Sequence, residues 1–210
     1  MSLQTGKKNS ILISLEKIKN GNLSLADRAQ LLSLGKIENG HLAFKAFAKN
    51  YLINESDYSI SYSNIQSENI NEVKDDEKIF ILHYLLSEIP YIKSDKLISF
   101  REFSGGQFFW KPFLERTAKP LSKKIGNNIS LLIQNLNQRF DYQQVHTTAN
   151  TGDFAAKIHA IGNIYLTLVY HQGDDEFPAE IDVLFDEYCK WVFPADDAVY
   201  IASKICIGLL

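Results

Sequence analysis

Residues 154–171 constrain this chain most. Two eight-residue, largely apolar runs, Phe154 to Ile161 and Ile164 to His171, are separated by Gly162-Asn163 alone. A two-residue link of this composition is the signal of a tight antiparallel hairpin, because its backbone conformations come easily only to glycine and asparagine. Asn39-Gly40 gives the same signal. It is followed by strand-like stretches at His41 to Phe47, Asn50 to Asn54 and Asp57 to Tyr62, the last alternating tyrosine and isoleucine with serine. Glu180 to Asp186 alternates as well, with Ile181, Val183 and Phe185 on one side and Glu180, Asp182 and Asp186 on the other. Lys96 to Phe103 reads as a further strand ending at Ser104-Gly105-Gly106, and the polar stretch Asn64 to Asn71 reads as a loop.

Helical spacing fills the intervals. Ile11 to Ile18 has apolar residues at helical spacing, with Asn9 or Ser10 as cap and Asn20-Gly21 as stop. A second helix is expected over Leu25 to Leu34, capped by Ser24, with Asp27 in its first turn and Gly35 past its end. Asp75 to Ile89 is predicted to be a helix with three acidic residues at its start and so little polar surface that most of its sides should be buried; Pro90 ends it. Phe108 to Phe140 reads as helical, broken near Pro120 and at Gly126, and a last helix begins at Ala195. Strands in two groups with helices between them do not alternate as β-α-β units. The expected class is therefore α+β: antiparallel or mixed sheets with helices packed on them, in a single domain over residues 24–210, preceded by a helical appendage over residues 1–23.

The 210 residues are 45% hydrophobic and 12% aromatic, ample for a core that needs no disulfide or metal to fold. A net charge of -3 argues against nucleic acid or an anionic membrane as partner. No apolar run approaches the roughly 20 residues that span a bilayer. The two cysteines, Cys189 and Cys206, form no C-x-x-C pair. With no signal peptide in view, the expected compartment is the cytoplasm.

Several separated blocks carry a resemblance. Ile81-Leu82-His83-Tyr84-Leu85-Leu86 is followed by Leu97-Ile98-Ser99-Phe100-Arg101-Glu102-Phe103-Ser104-Gly105-Gly106. Downstream come Gly173-Asp174-Asp175-Glu176-Phe177-Pro178-Ala179-Glu180, Val183-Leu184-Phe185-Asp186 and Phe193-Pro194-Ala195-Asp196-Asp197. In this order, over roughly residues 24 to 207, they resemble the bacterial and archaeal family called domain of unknown function 3786. The resemblance implies an anaerobe-associated protein, in a family whose members sometimes carry a cysteine-rich iron–sulfur segment or occur near corrinoid-dependent methyl-transfer proteins. This chain lacks those cysteines, so cluster binding does not carry over to it.

Two segments are candidates for function. In Ser104-Gly105-Gly106-Gln107-Phe108-Phe109-Trp110 the paired glycines permit close backbone approach and an anion-binding nest, Arg101 and Lys111 add positive charge, and the aromatics offer a flat surface. Arg101, Ser104, Gly105, Gly106, Trp110 and Lys111 are thus the expected residues for a small anionic or planar ligand; the competing reading is a turn followed by core aromatics. In Gly173 to Glu180, the carboxylates Asp174, Asp175, Glu176 and Glu180 are the candidate ligands of a divalent metal, against a solvated acidic turn with Phe177 packed beneath it. Cys206 is expected to be an inert buried thiol, and Cys189 to point inward with Trp191.

Charge is segregated along the chain. Residues 96–140 hold eight basic and two acidic residues, and residues 172–210 hold two basic and nine acidic ones. Either the two segments face each other, or they form a dipolar surface that steers a ligand or partner. Three functions follow: a non-catalytic ligand-binding or accessory module in anaerobic, corrinoid- or iron–sulfur-related metabolism; a metal-assisted enzyme using the acidic loop 174–180; or a protein-interaction module. The first is the expectation, with no cofactor identified.

Overall fold

The computed structural model describes residues 3–64, 67–94, 96–146 and 152–210. It is α+β, and every strand pairing it shows is antiparallel. The chain forms two compact units, residues 1–92 with the turn 161–163, and residues 93–160 with 164–210.

The first unit opens with helices α1 (Leu3–Asn20) and α2 (Leu25–Leu31), continues through strands β1 (Ile37–Glu38), β2 (His41–Ala46), β3 (Lys49–Asn54), β4 (Ile60–Asn64) and β5 (Ser67–Glu72), and closes with α3 (Asp75–Leu86). The strands form an antiparallel meander in sequence order. Ser24 caps α2 through a reciprocal pair of bonds: its Oγ accepts the Asp27 N–H at 3.1 Å and its own N–H donates to Asp27 Oδ2 at 3.0 Å. Such a cap contributes about 1 kcal/mol, and the Ser24 hydrogen bonds hold the Asp27 carboxyl below the usual carboxylate range. Asn39 and Gly40 have φ of 51° and 73°, as a tight hairpin turn requires.

Three expectations change here. α1 begins well before Asn9 and Ser10, which lie inside it rather than capping it. Of the stretch expected as a loop, Asn64 to Asn71, Asn64 ends β4, residues 67–71 lie in β5, and residues 65 and 66 fall outside the described residues; pairing to β4 satisfies the β5 backbone although its sequence is polar apart from Ile70. α3 stops at Leu86, and its buried side is Phe80, Ile81, Leu82, Tyr84 and Leu85, with Ile79 and Leu86 only half-buried.

The second unit begins with β6 (Leu97–Ser99) and a 3-10 turn (Phe100–Glu102). Helices α4 (Gly106–Arg116), α5 (Ala118–Ile125) and α6 (Ile129–Arg139) follow, then strands β7 (Tyr142–Gln144), β8 (Phe154–Ile161), β9 (Ile164–His171) and β10 (Glu180–Asp186), and helices α7 (Cys189–Val192) and α8 (Ala195–Gly208). Its strands run in the order β7-β8-β9-β10-β6. The Gly162-Asn163 hairpin forms over the residues expected. The expected strand from Lys96 is cut to three residues because the chain turns into the 3-10 helix at Phe100. The helical break expected near Pro120 falls at Thr117, leaving Pro120 in the first turn of α5, where its missing N–H costs no helical bond.

The core of this unit is aromatic where α4 meets the sheet. Phe113 stacks on Phe100 at 4.3 Å between centroids, and Phe103 meets Phe185 edge-on at 5.0 Å. Burying each such ring contributes roughly 1.5–3 kcal/mol.

Candidate functional site

Two glycines frame the site. The chain leaves the 3-10 turn through Gly105, whose φ of +76° is left-handed, and enters α4 at Gly106. A Cβ on Gly106 would sit 2.0 Å from the Phe100 carbonyl oxygen, so no other residue lets α4 start this close to the turn. Ser99 N–H donates to Glu102 Oε1 at 3.2 Å, and Gly106 N–H donates to the Phe103 carbonyl at 2.8 Å. The buried result of this packing is a stack of Phe100 on Phe113 and Phe113 near Trp110 at 5.6 Å. Arg101 closes the outer end, its guanidinium 4.5 Å from the Trp110 ring centroid.

Arg101 borders three hollows. The first, about 600 Å³, is lined by Gln107, Phe108, Trp110, Lys111 and Pro112 as well. A second, about 990 Å³, runs between α4, α5 and the start of β10. Arg101 and Trp110 form one wall, Leu114, Ala118, Lys119 and Lys123 another, and Pro178 to Asp182 the third. The smallest, about 440 Å³, includes Gly105, Phe108 and Lys190. Of the residues expected from sequence, Arg101, Gly105, Trp110 and Lys111 therefore line these hollows. Gly106 is buried framework, and Ser104 is exposed but lines none of the three. Core packing claims only part of the aromatic run: Phe108 is 87% and Phe109 60% exposed, while the buried ring is Phe113.

The charges in the large groove are mixed. Lys119 Nζ is 2.5 Å from Glu115 Oε1, whereas Arg101 and Lys123 make no ion pair among the described residues. Opposite them stand Glu180 and Asp182. Asp182 Oδ2 is 3.2 Å from His171 Nε2 on the neighbouring strand, a pair unseen in the sequence because it is diagonal across the β9–β10 register. The basic and acidic segments of the chain thus face each other here, as they do where Lys96 Nζ meets Glu187 Oε1 at 2.9 Å.

The acidic loop is built differently from a metal cage. Asp174 Oδ1 accepts the N–H groups of both Glu176 and Phe177 at 2.8 Å, closing its own turn, and those bonds hold its carboxyl below the usual range. Asp174, Asp175 and Glu176 lie outside the large groove; Glu180 alone of the four borders it. No group of three or more His, Cys, Asp and Glu residues among the described residues is placed to hold a metal ion. Phe177, expected beneath the loop, is 67% exposed. Both thiols are buried: burial and the Asp186 charge push Cys189 far up, and burial pushes Cys206 up to about 12, which leaves neither as a nucleophile near neutral pH. Trp191 does not share the inward position of Cys189, because residues 189–192 form a helical turn rather than a strand.

Among the described residues no helix is long and apolar enough to cross a membrane. No curated protein and no solved structure matches the chain. The blocks that frame the groove, from the Phe100–Gly106 turn to the start of β10, fall within a stretch that a family model matches: over residues 24–207 the chain belongs to the family described as a domain of unknown function (DUF3786).

Proposed function

We propose that the protein is a non-catalytic binding module whose ligand lies in the groove between α4, α5 and β10 and carries negative charge beside a flat or apolar part. One observation carries this reading: the Arg101 guanidinium is held over Trp110 by a buried aromatic stack, and it forms a wall common to the adjoining hollows. A cation fixed on a ring in this way keeps its hydrogen-bonding edge available for an anion while the ring supplies apolar contact. Lys123 adds a second cation with no ion pair among the described residues, and Leu114 and Ala118 supply an apolar wall. We assign the module an accessory place in anaerobic, corrinoid- or iron–sulfur-related metabolism, the setting that the family resemblance implies.

The test is a titration of the full chain with flavin, nucleotide and corrinoid probes, read by thermal unfolding and by tryptophan fluorescence in a Trp191→Phe background. Quenching of Trp110, a raised melting temperature and at least a tenfold loss of affinity in Arg101→Ala are the expected results. No response to any of these probes would count against the reading.

A further inference from the structure

The charges that line the large groove are balanced in number and held apart. Arg101, Lys119 and Lys123 stand against Glu115, Glu180 and Asp182, three of each sign. Lys119 is engaged with Glu115 along α4 and α5 at 2.5 Å, and Asp182 has His171 at 3.2 Å on the neighbouring strand. Arg101 on the Trp110 wall, Lys123 on the α5 wall and Glu180 on the β10 wall are left, all exposed and without an ion pair among the described residues. No ion pair among the described residues crosses the groove.

Exposed side chains of opposite sign attract one another and close where their backbones let them. These backbones are pinned. Asn127, just past α5, donates through Nδ2 to the Gly173 carbonyl at 3.2 Å and accepts the Gly173 N–H at 2.8 Å. Tyr170 donates through its hydroxyl to the Gly126 carbonyl at 3.0 Å. Those three bonds tie the end of α5 to β9 and to the loop that enters β10. Leu121 and Ile125 anchor α5 in the core, and Ala179 and Ile181 anchor the start of β10. The groove keeps its width, so its charges face one another across about 990 Å³ of space. An anion bound at Arg101 gains at one wall and meets the like charge of Glu180 and Asp182 at another. A ligand with charges of both signs gains at both.

We propose that the ligand of this groove is dipolar: an acid group binds Arg101, a protonated amine binds Glu180, and an apolar or aromatic body joins the two. This rests on the binding-module reading and names the class of its ligand. The guanidinium fork matches a carboxylate or phosphate through two parallel hydrogen bonds, and its place over the Trp110 ring leaves its edge available for them. The Glu180 carboxylate accepts from an ammonium, which has three protons to give. Between them Trp110, Leu114 and Ala118 offer the body an apolar bed. The volume lies near the upper end of the roughly 300–1,000 Å³ of small-molecule sites, so the amine and the acid sit at opposite ends of a body larger than one amino acid.

The experiment titrates the full chain calorimetrically with probes that scan the spacing between the two charges: Phe-Phe, Phe-Gly-Phe and Phe-Gly-Gly-Phe. Each is also made N-acetylated, which removes the amine charge, and C-amidated, which removes the acid charge. At one of the three lengths the free-ended peptide is expected to bind about tenfold more tightly, or better, than either capped form. The loss on acetylation should disappear in Glu180→Gln and the loss on amidation in Arg101→Gln, both substitutions of exposed side chains, with the melting temperature of the free protein unchanged. Equal binding of free and capped forms at every length, or a loss that persists undiminished in its variant, overturns the dipolar ligand. If a flavin, nucleotide or corrinoid probe binds and no free-ended peptide does, the dipolar ligand is overturned while the binding-module reading stands; if nothing binds, both fall.

Discussion

The two units place their basic residues differently. In the first, Arg28 is 1% exposed: Nη1 donates to the Leu85 carbonyl at 2.7 Å at the end of α3, and Nη2 fills the space beside Gly21, just past α1, where a Cβ would lie 2.7 Å from it. The carbonyl ends of helices carry partial negative charge, so the Leu85 carbonyl stabilises this cation, which pairs with no carboxylate among the described residues. Glu77 is spent in the same way on the Tyr51 hydroxyl, with Lys49 Nζ at 3.5 Å and also over the Tyr62 ring at 4.0 Å. The second unit buries no cation among its described residues, and Arg101 and Lys123 stand at a groove instead. A charge consumed by its own fold has little left for a ligand; a charge propped on an aromatic ring at the surface does.

Four substitutions or conditions sharpen or break this contrast. Gly106→Ala should do most damage, since the added Cβ meets backbone at 2.0 Å and the 3-10 turn must separate from α4. A loss of at least about 3 kcal/mol in denaturant unfolding is expected, together with loss of ligand response; an unchanged protein would mean that the glycine frame does not build the site. Arg28→Ala should cost about 3 kcal/mol through the cavity and the unpaired Leu85 carbonyl, with ligand response intact in whatever fraction folds. If stability held and ligand response fell, the roles assigned to the two sets of cations would be reversed.

Smaller effects come from backbone strain and surface charge. Phe47 and Ala48 form a turn with φ of 48° and 58° and no glycine, held because Phe47 is buried 5.7 Å from Phe80. A left-handed non-glycine residue costs roughly 1–2 kcal/mol, so Ala48→Gly should raise stability by about 0.5 kcal/mol after its own entropy loss, measurable as a shifted urea midpoint. Glu187 gives the smallest effect. Hydrogen bonds from Lys190 and Lys96 hold its carboxyl below the ordinary glutamate range. A depressed carboxyl stabilises the fold above its unfolded value and loses that contribution as pH falls through the lowered one. Stability measured from neutral pH downward should therefore decline less steeply in Lys190→Met than in the natural protein, and salt should shrink the difference.

Local rules made much of the fold legible. Asn39-Gly40 and Gly162-Asn163 announce their hairpins because their residues adopt the turn's backbone angles at low cost, and Ser24 with Asp27 announces a helix start because both can cap it. Phe47-Ala48 gives no such signal, since that turn exists only because a buried ring holds it against its preference. β5 was invisible for a related reason: a segment polar apart from Ile70 forms a strand when a neighbour supplies the ladder. Within the site, Arg101, Trp110 and Lys111 could be picked out by residue type near a glycine pair. Lys123 and the His171–Asp182 pair could not, because helix phase and strand register decide what they meet.

By itself the sequence determined the α+β class, the positions of two hairpin turns and the glycine pair that bends the chain into α4, since each depends on backbone preferences within a few residues. Only the tertiary structure decided that Phe108 stays in solvent while Phe113 goes to the core, and that β6 ends short of Ile181. It alone brought the basic helices to the acidic strand. Burial and pairing are properties of partners distant along the chain, and no local rule reports which partner will arrive.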